Sequence, residues 1–481
     1  SGLTPIVKGL SVGSKIGSGK AHKILDVKNV AELKKGEVLV TDMTDPDWVV
    51  AMKKASAIIT DQGGRTCFGS ETKILTNKGF YKIEKVVEEI NNGRELLTPS
   101  LNKDTLKIEW KKVLNGFERE SYLMKIDVSL TGRMRNNSLR TTSDHKFLTF
   151  QNRQLVSKKI KDLIKDDNYI LSTQHIPNFA KEDEISESLA YLLGGIMTDG
   201  SVYLTRTHGE VQFIQKEIPA KKEFIEEMNR CLERVFHYSF HKTKPQVYVG
   251  NIRGRKIIGE ASRFRCYSKK IAERFIELEN SIAQKALGAS EEVLYRFLAG
   301  VIDGDGSYHI SANRINIYCS DNNLRNALNI TCLRLSIPFT IVKNRTIDNF
   351  QICGGVEKIL QYTKRVKGNY RRISMGTKLL SAKQLLGDII DRVNYKGRIK
   401  TYVNFNLLID ANKILNQVVP LIKGQPENHR LTDISNSSIS MLRVLQDGDT
   451  LDFSKVYNIE VEENHNYIVF TERFTPVLVE N

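Results

Sequence analysis

The chain has 481 residues, 40% of them hydrophobic, and this length is typical of about three folded domains rather than one. Its 72 lysines and arginines exceed its 56 aspartates and glutamates, and the net charge of +16 favours a polyanionic partner such as nucleic acid, or else a basic but ordinary enzyme. The six cysteines contain no Cys-x-x-Cys pair, which argues against a zinc ribbon. The sequence shows no signal peptide and no apolar stretch of membrane-spanning length, so we expect a cytoplasmic chain without a membrane partner.

The first 66 residues have the pattern of a small α/β fragment. Apolar segments at 37–41 and 57–60 predict two strands, and residues 48–54 predict a helix between them. The piece is short for a complete domain, so we expect part of a larger fold.

The rest of the chain predicts an α/β module inserted into a β domain. Residues 67–180 contain short alternating segments separated by turn residues, which indicate an all-β domain, and residues 425–481 resume that character. Between them, residues 181–424 carry a helix–strand–strand–helix pattern twice. Strands are predicted at 72–76, 79–82, 122–126, 139–142, 147–150, 169–172, 455–461 and 467–470, and within the module at 201–204, 210–214, 263–267, 307–310, 314–319 and 350–353.

Two near-matching phrases, at 192–200 and 298–306, open the two halves of this module. Each reads as an apolar helix that ends in Asp-Gly, at Asp199 and at Asp305, and turns directly into a strand. Small residues on one face would let the two helices pack closely and bring the two acids side by side. Adjacent carboxylates are stable together mainly when protonated or when they hold a cation, and their oxygens suit Mg²⁺. The alternative is that each Asp-Gly only ends a helix and begins a turn.

These phrases resemble the LAGLIDADG motif of homing endonucleases. The resemblance covers about residues 185–400 and implies an (αββαββα)×2 fold with a pseudo-twofold axis, two sheets over double-stranded DNA, and Asp199 and Asp305 as catalytic ligands of Mg²⁺. The first copy departs from the pattern at Met197 and Thr198 but keeps its acid. The family also places a lysine near each acid, and the candidates of the right type are Lys285 and Lys343.

The flanking β segments resemble an intein. The resemblance is carried by the block at 67–72, the Thr-x-x-His pattern at 142–145, the blocks at 456–461 and 465–467, and a β domain that opens on Cys and closes on Asn. It implies the all-β horseshoe of the hedgehog/intein (Hint) fold, split by the endonuclease. The residues that it assigns to the splicing reaction are Cys67, Thr142, Asp144, His145, Asn458, His465, Glu480 and Asn481.

The chemistry of splicing needs these residue types. A Cys67 thiol that attacks the preceding carbonyl carbon would convert the Thr66–Cys67 amide into a thioester. His145 could supply the proton that an amide leaving group needs, and Thr142 could hold that amide by a hydrogen bond. At the other end the side-chain amide of Asn481 would attack its own backbone carbonyl and form a succinimide.

His465 could assist proton movement at that end of the chain. Two residues depart from the family pattern: Glu480 stands where a histidine is usual, and Asn458 where an aspartate is usual. The resemblance also implies a second nucleophile after Asn481, part of a C-terminal flank that this sequence does not include, so we expect no ligation of flanks by the chain as written.

The segments at 40–48 and 57–66 resemble the phosphohistidine, or swivelling, domain of phosphoenolpyruvate synthase. In that family a Gly-Gly-x-Thr sequence leads to the phosphorylated histidine. That histidine is not in this chain, so we expect residues 1–66 to be an N-terminal host fragment without host activity.

The sequence therefore predicts self-catalysed protein splicing with a nested double-strand DNA endonuclease. Two alternatives remain open at this point. The endonuclease module could survive only as a cleavage-inactive domain that binds nucleic acid, or Cys67 could be the nucleophile of a hydrolase that acts in trans.

Overall fold

The computed structural model describes residues 17–41, 48–60, 66–129, 137–151, 153–166, 169–179, 185–252, 255–343, 347–367, 378–390, 408–445 and 449–481. Within these ranges no helix has both the length and the apolar character needed to span a membrane. The chain divides into two compact units, Ser1–Arg65 and Thr66–Asn481.

The first unit is a small α/β layer. Its three strands form a parallel sheet in the order β1-β2-β3, and parallel neighbours need crossover connections, which the helices supply. A small apolar core around Leu39 and Trp48 holds these elements together. The elements are β1 (Ala21–Lys23), a 3₁₀ helix (Val27–Glu32), β2 (Val38–Thr41), α1 (Val49–Lys54) and β3 (Ala57–Thr60). Of the segments that resemble a phosphohistidine domain, residues 42–47 and 61–65 lie outside the described residues.

The second unit begins with a β-rich segment, as the alternating pattern predicts. The predicted strand at 122–126 is only part of a 23-residue strand, Lys107–Ser129. The elements are β4 (Phe68–Gly69), β5 (Lys73–Thr76), β6 (Gly79–Lys82), α2 (Ile83–Asn91), β7 (Leu97–Asn102), β8 (Lys107–Ser129), β9 (Ser138–Thr141), β10 (Lys146–Gln151), β11 (Gln154–Lys159), α3 (Ile160–Asp166) and β12 (Tyr169–Thr173).

Within the described residues, the order in both halves of the inserted module is helix, two strands, helix, further strands, helix; the first half has three of these further strands and the second half has two. Side-chain caps start three of its long helices, since the hydroxyls of Ser186, Ser268 and Ser290 accept N–H groups of the first turn. The first half comprises α4 (Glu187–Asp199), β13 (Gly200–Leu204), β14 (Gly209–Gln215), α5 (Pro219–Phe236), β15 (His241–Lys242), β16 (Gln246–Ile252), β17 (Arg255–Tyr267) and α6 (Lys269–Gly288). The second half comprises α7 (Glu291–Asp305), β18 (Gly306–His309), a 3₁₀ turn (Ile310–Ala312), β19 (Arg314–Cys319), α8 (Asn322–Arg334), β20 (Phe339–Val342), β21 (Asp348–Ile352) and α9 (Val356–Tyr362).

The two halves differ in one hairpin. The first sheet has the order β13-β14-β17-β15 with β16 paired to the outer part of β17, whereas the second has the order β18-β19-β21-β20. The sequence predicted a single strand at 263–267 here. The sequence pattern does not indicate the extension, because apolar residues of β16 such as Val247 and Val249 are exposed rather than part of a core.

Between the inserted module and the last four strands, the described residues form a small two-stranded sheet and several helical segments. A mixed helical stretch precedes the last helix, and four strands complete the fold. The elements are β22 (Leu379–Ser381), α10 (Ala382–Ile390), β23 (Leu408–Asp410), α11 (Ala411–Lys413), a π turn (Ile414–Val418), a 3₁₀ turn (Val419–Ile422), α12 (Pro426–Asn436), β24 (Ile439–Val444), β25 (Asp449–Val461), β26 (Asn466–Phe470) and β27 (Pro476–Glu480).

Strands from both ends of the second unit share the same two sheets. One sheet has the order β11-β10-β27-β26-β5-β6, and the other β12-β24-β8-β25-β4-β9 with β7 added on β8. The strand after Cys67 pairs with β9, through Phe68 and Thr141, and the strand before Asn481 pairs with β10, through Phe147 and Val479. The turn at 142–145, between β9 and β10, therefore lies between the two chain segments that the sequence analysis selected.

The six-stranded sheet separates two hydrophobic cores. Alternate residues of β27 point to opposite faces, so Val477 and Val479 join the core around Phe68 and Tyr467. Leu478 joins the larger core that α4 and α7 also fill. The inserted module thus packs directly against the back of the sheet that carries the end of the chain.

Candidate active sites

The helices α4 and α7 cross where the sequence placed small residues. A Cβ atom on Gly300 would lie 2.1 Å from the carbonyl oxygen of Tyr191, and one on Gly194 would lie 2.5 Å from that of Phe297. Only glycine permits this backbone approach, and it brings the two helix ends together.

Thr198, a departure from the LAGLIDADG pattern, fits this contact. Its hydroxyl donates within its own helix, 3.0 Å from the carbonyl oxygen of Gly194 and 3.1 Å from that of Gly195. On the other helix Gly304 leaves the space that Thr198 fills, because a Cβ there would lie 1.9 Å from the Thr198 Oγ1. The substitution therefore belongs to the helix contact and leaves the neighbouring acid in place.

Asp199 and Asp305 end these helices and are electrostatically coupled. Burial raises the pKa of Asp199 to about 6, Lys221 opposes the shift, and the Asp305 carboxylate adds to it. Burial also raises the pKa of Asp305, against the attraction of Arg365 and Lys221. Two partly buried carboxylates that repel each other fit a hard divalent cation. Among the described residues, no group of three or more His, Cys, Asp or Glu side chains forms a metal cluster.

Gln215 and Lys221, which the sequence analysis did not select, form a hydrogen-bonded chain that ends on Asp199. The Gln215 amide donates to the Asp199 carboxylate, and the Lys221 ammonium donates to the Gln215 carbonyl oxygen. Burial lowers the pKa of Lys221, and Asp199 raises it. In the sequence, Gln215 is only a polar residue at the end of a strand, and Lys221 is only a lysine early in the next helix. Neither feature by itself indicates a site.

Arg365 is a further site residue that sequence reasoning missed. Its guanidinium donates to backbone carbonyls at the end of α7, including those of Ile302 at 2.8 Å, Gly304 at 3.1 Å and Gly306 at 2.8 Å. A cation at a helix C-terminus offsets the macrodipole, which an aspartate there would worsen. The Arg365 guanidinium therefore supplies part of the positive charge that stabilises an aspartate at the end of α7.

Buried Asp303 fixes the segment that carries Arg365. It accepts a hydrogen bond from the Tyr191 hydroxyl at 2.7 Å and from the backbone N–H groups of Lys364, Arg365 and Val366 at 2.5, 2.8 and 3.0 Å. The first motif has Met197 at the matching position, and a methionine side chain has no carboxylate to accept such hydrogen bonds.

The predicted lysines lie elsewhere in the module. Lys285 lies in the last turn of α6. Lys343 follows β20 and is exposed, in a cleft that Lys73 and Arg140 also line. The cations that act on the two carboxylates are Lys221 and Arg365.

At the other predicted site, two hydrogen bonds join the backbone of Cys67 to Thr142. The Cys67 N–H donates to the Thr142 hydroxyl at 3.1 Å, while the Thr142 N–H donates to the Cys67 carbonyl oxygen at 2.9 Å. The Cys67 side chain is buried between Leu123 and Val456. The nitrogen of the Thr66–Cys67 peptide bond is therefore fixed by a buried hydroxyl.

His145 lies fully buried at the end of the same turn. Its ring packs on that of Phe68, with centroids 4.1 Å apart, and burial lowers its pKa to about 3. Neighbouring backbone groups of Glu480 and Cys67 oppose that shift. The ring is thus neutral near pH 7 and lies near backbone groups from both ends of the second unit. Asp144, next to it, is half-buried in the turn.

The end of the chain is held by backbone pairing. The Asn481 N–H donates to the His465 carbonyl oxygen at 3.2 Å, and the His465 side chain itself is exposed. Buried Asn458 accepts the Tyr467 hydroxyl at 2.5 Å. Burial, with Cys67 nearby, raises the pKa of Tyr467 far above its ordinary value, so the hydroxyl remains a donor.

Glu480 is held by two side chains that the sequence analysis did not select. The Lys103 ammonium lies 2.8 Å from one carboxylate oxygen, and the Ser157 hydroxyl donates to the other at 2.7 Å.

Known proteins resemble the chain in two parts. An intein splicing domain family matches residues 73–474, and the mobile domain of PEP-utilising enzymes matches residues 33–70. The probable phosphoenolpyruvate synthase of Methanocaldococcus jannaschii is 31% identical over 493 residues, which cover 99% of this chain and 40% of that protein. The phosphoenolpyruvate synthase of Helicobacter pylori is 60% identical over 62 residues, 13% of this chain and 8% of that protein. The chain thus spans less than half the length of these relatives.

A solved structure of the homing endonuclease I-DmoI matches 38% of this chain and 98% of its own, with 18% identity and a TM-score of 0.28. The prediction of an intein preceded by a segment similar to phosphoenolpyruvate synthase is confirmed by the family matches. Because the splicing-domain match runs from β5 to beyond β26, the chain belongs to the intein splicing domain family.

Proposed function

We propose that the chain splices itself out of a phosphoenolpyruvate synthase precursor and carries a nested, site-specific double-strand DNA endonuclease. One observation supports the splicing proposal most directly. The Cys67 N–H donates a hydrogen bond to the Thr142 hydroxyl, beside a buried, neutral His145. Thr142 and His145, from one turn, thus place a hydroxyl and a proton carrier beside the amide that the Cys67 thiol would attack.

At the first junction the Cys67 sulfur attacks the Thr66 carbonyl carbon. A carbon–sulfur bond forms, and the carbon–nitrogen bond of the Thr66–Cys67 amide breaks. Neutral His145 takes the thiol proton and passes it to the departing amine. The hydrogen bond from the Cys67 N–H to Thr142 holds the amide in the orientation that this transfer needs.

At the second junction the Asn481 side-chain nitrogen attacks its own backbone carbonyl carbon. A succinimide forms, and the amine of the following residue leaves with a proton. The hydrogen bond from the Asn481 N–H to His465 fixes the attacking residue at the end of β27. In a precursor with Cys, Ser or Thr after Asn481, that nucleophile first takes over the thioester, which joins the flanks.

The proposed domain organisation follows the sequence prediction. Residues 1–66 are the host fragment, residues 67–180 and 425–481 form the Hint horseshoe, and residues 181–424 form the endonuclease with a pseudo-twofold axis. The two antiparallel sheets support the horseshoe, because each contains strands from both ends of that domain. The reduced state of Cys67 that splicing needs suits a cytoplasmic setting.

The sheet faces of the inserted module support double-stranded DNA as the partner. In the first half Tyr203 and Tyr267 lie in one row across β13, β14 and β17, on the face opposite buried Phe213 and Phe264. Alternation places Arg265 on the same face as Tyr267. Basic side chains suit phosphates, and polar and aromatic ones suit base edges.

Asp199 and Asp305 would hold the divalent cation, with Mg²⁺ the expected ion. Bound there, it would supply an activated water and neutralise charge that develops on the phosphate. Gln215 orients the Asp199 carboxylate, and Arg365 keeps the α7 terminus in place.

Thiol treatment with intact-mass measurement tests the splicing proposal. We expect hydroxylamine or a small thiol to release residues 1–66 from the wild type but not from Cys67→Ala. Equal release from both variants would contradict the proposal and favour cleavage of a different bond.

Cleavage of a plasmid that carries the uninterrupted host gene tests the endonuclease. We expect a linear product with Mg²⁺, at least about 100-fold less with Asp199→Ala or Asp305→Ala, and none after EDTA treatment. Specific binding without cleavage by the wild type would establish instead the alternative of an inactive nucleic-acid-binding module.

A further inference from the structure

The side chain before Asn481 points away from the splicing core. Successive residues of a strand face opposite sides, so Glu480 lies on the face of Leu478, and Val479 lies on the face of the splicing core. Glu480 therefore does not substitute for the family's histidine by contact within that core.

Both carboxylate oxygens of Glu480 are engaged on this outer face. Lys103 comes from the turn after β7 and lies 2.8 Å from one oxygen, and Ser157 reaches the other from β11 at 2.7 Å. Since the sheet order is β11-β10-β27, the Ser157 contact spans the intervening strand. The final strand is thus fixed from two directions.

The turn that carries Lys103 is itself tied to the strand beside Glu480. Asn466 pairs with Glu480 in the register of β26 and β27. Its side-chain oxygen accepts the Leu101 N–H at 2.8 Å, and its amide donates to the Leu101 carbonyl oxygen at 2.8 Å. Asn102 closes the turn by accepting N–H groups two and three residues later. Lys103 is consequently held at a set distance from β27.

We propose that Lys103 and Ser157 are positioning residues for Asn481 cyclisation. Their two contacts with the Glu480 carboxylate are called the Lys103–Glu480–Ser157 clamp. The inference rests on the proposed splicing function. A strand end tends to fray, and cyclisation needs the amide nitrogen close to its own carbonyl carbon. A clamp on the preceding residue limits the motion of Asn481 without touching the reacting atoms.

The test uses the full chain followed by a flanking segment that begins with Cys. Two rates are measured on each protein: release of the C-terminal flank, and thiol-induced release of residues 1–66. Lys103→Ala and Glu480→Gln should slow C-terminal release about tenfold, within the range that misplacement costs, and leave N-terminal release unchanged. The charge-swapped double variant Lys103→Glu/Glu480→Lys should recover most of the lost rate. Lys82→Ala is the matched control, because its ion pair with Glu71 is also short, at 2.9 Å, but does not touch β27.

Three results would overturn the clamp. C-terminal release within about twofold of wild type in both single variants would show that the clamp does not matter. Equal slowing of both reactions would reveal a general structural defect, and a charge-swapped variant no faster than the single variants would exclude pairing. A wild-type precursor that cleaves at neither end would overturn the proposed function and, with it, the clamp.

Discussion

Individual side chains could be predicted where the chemistry dictates a residue type and its spacing. Cys67, Thr142 and His145 have that signature, and the structure places Cys67 and Thr142 in hydrogen-bond contact. Arg365, Lys103 and Ser157 have none, because each acts on a segment at least 59 residues away that only the folded sheet and helix register bring near. A lysine or arginine on a loop otherwise reads as an ordinary solvated charge.

Burial of His145 predicts a pH dependence of stability. The unfolded chain binds a proton on this ring below about pH 6.5, whereas the folded protein does so only near pH 3. Between these values the unfolded state binds more protons, so stability falls as the pH falls. We expect the Tm of His145→Gln to drop less than that of the wild type between pH 7 and pH 5. The exposed-histidine variant His208→Gln should follow the wild type, and a steeper drop in His145→Gln would contradict the assignment.

Removal of the Arg365 guanidinium should destabilise the inserted module. Arg365→Ala leaves several carbonyls at the end of α7 without their donor, and we expect a loss of about 2 kcal/mol, from charged hydrogen bonds worth about 1.5–3 kcal/mol each. Thermal unfolding would show this as a lower Tm. Arg274→Ala breaks only an exposed pair with Glu277 and should change stability by less than about 1 kcal/mol. Equal Tm values for the two variants would show that Arg365 is not a helix cap.

Helices and strands were predictable where one face is regularly apolar. The paired helices α4 and α7 and the strand β19 follow the sequence pattern closely. The sequence pattern did not predict the length of β8 or the hairpin β16–β17. Both run beyond the core into segments whose side chains are partly exposed. Their pairing partners, rather than a hydrophobic period, decide where they end.

The crossing of α4 and α7 should tolerate no added methyl group. In Gly300→Ala the new Cβ would meet the Tyr191 backbone, so we expect a loss of about 2 kcal/mol or more, as in overpacked cores. Gly387→Ala is the control, since Gly387 lies in α10 with no atom within 4 Å of its added Cβ. It should be neutral or stabilising by up to about 1 kcal/mol. A Gly300→Ala protein with an unchanged Tm would mean that the helices are less close than described.

The organisation of the second unit could be inferred from order alone, but its interleaving could not. A β pattern that stops near residue 180 and resumes near 425 predicts an insertion. It does not predict that β27 would lie between β10 and β26, nor that one core would join the inserted module to the back of that sheet. Those facts depend on contacts between segments hundreds of residues apart, for which local patterns contain no signal.

The interleaved sheets give the central claim its physical basis, because they bring the chain around Cys67 and the chain around Asn481 to the two sides of one turn. The most direct test is the intact mass, over time, of a precursor with host segments on both flanks. We predict two products, the joined flanks and an excised chain of residues 67–481, and neither product from Cys67→Ala. A wild-type precursor that keeps its full mass, or splicing that proceeds undiminished in Cys67→Ala, would contradict the account.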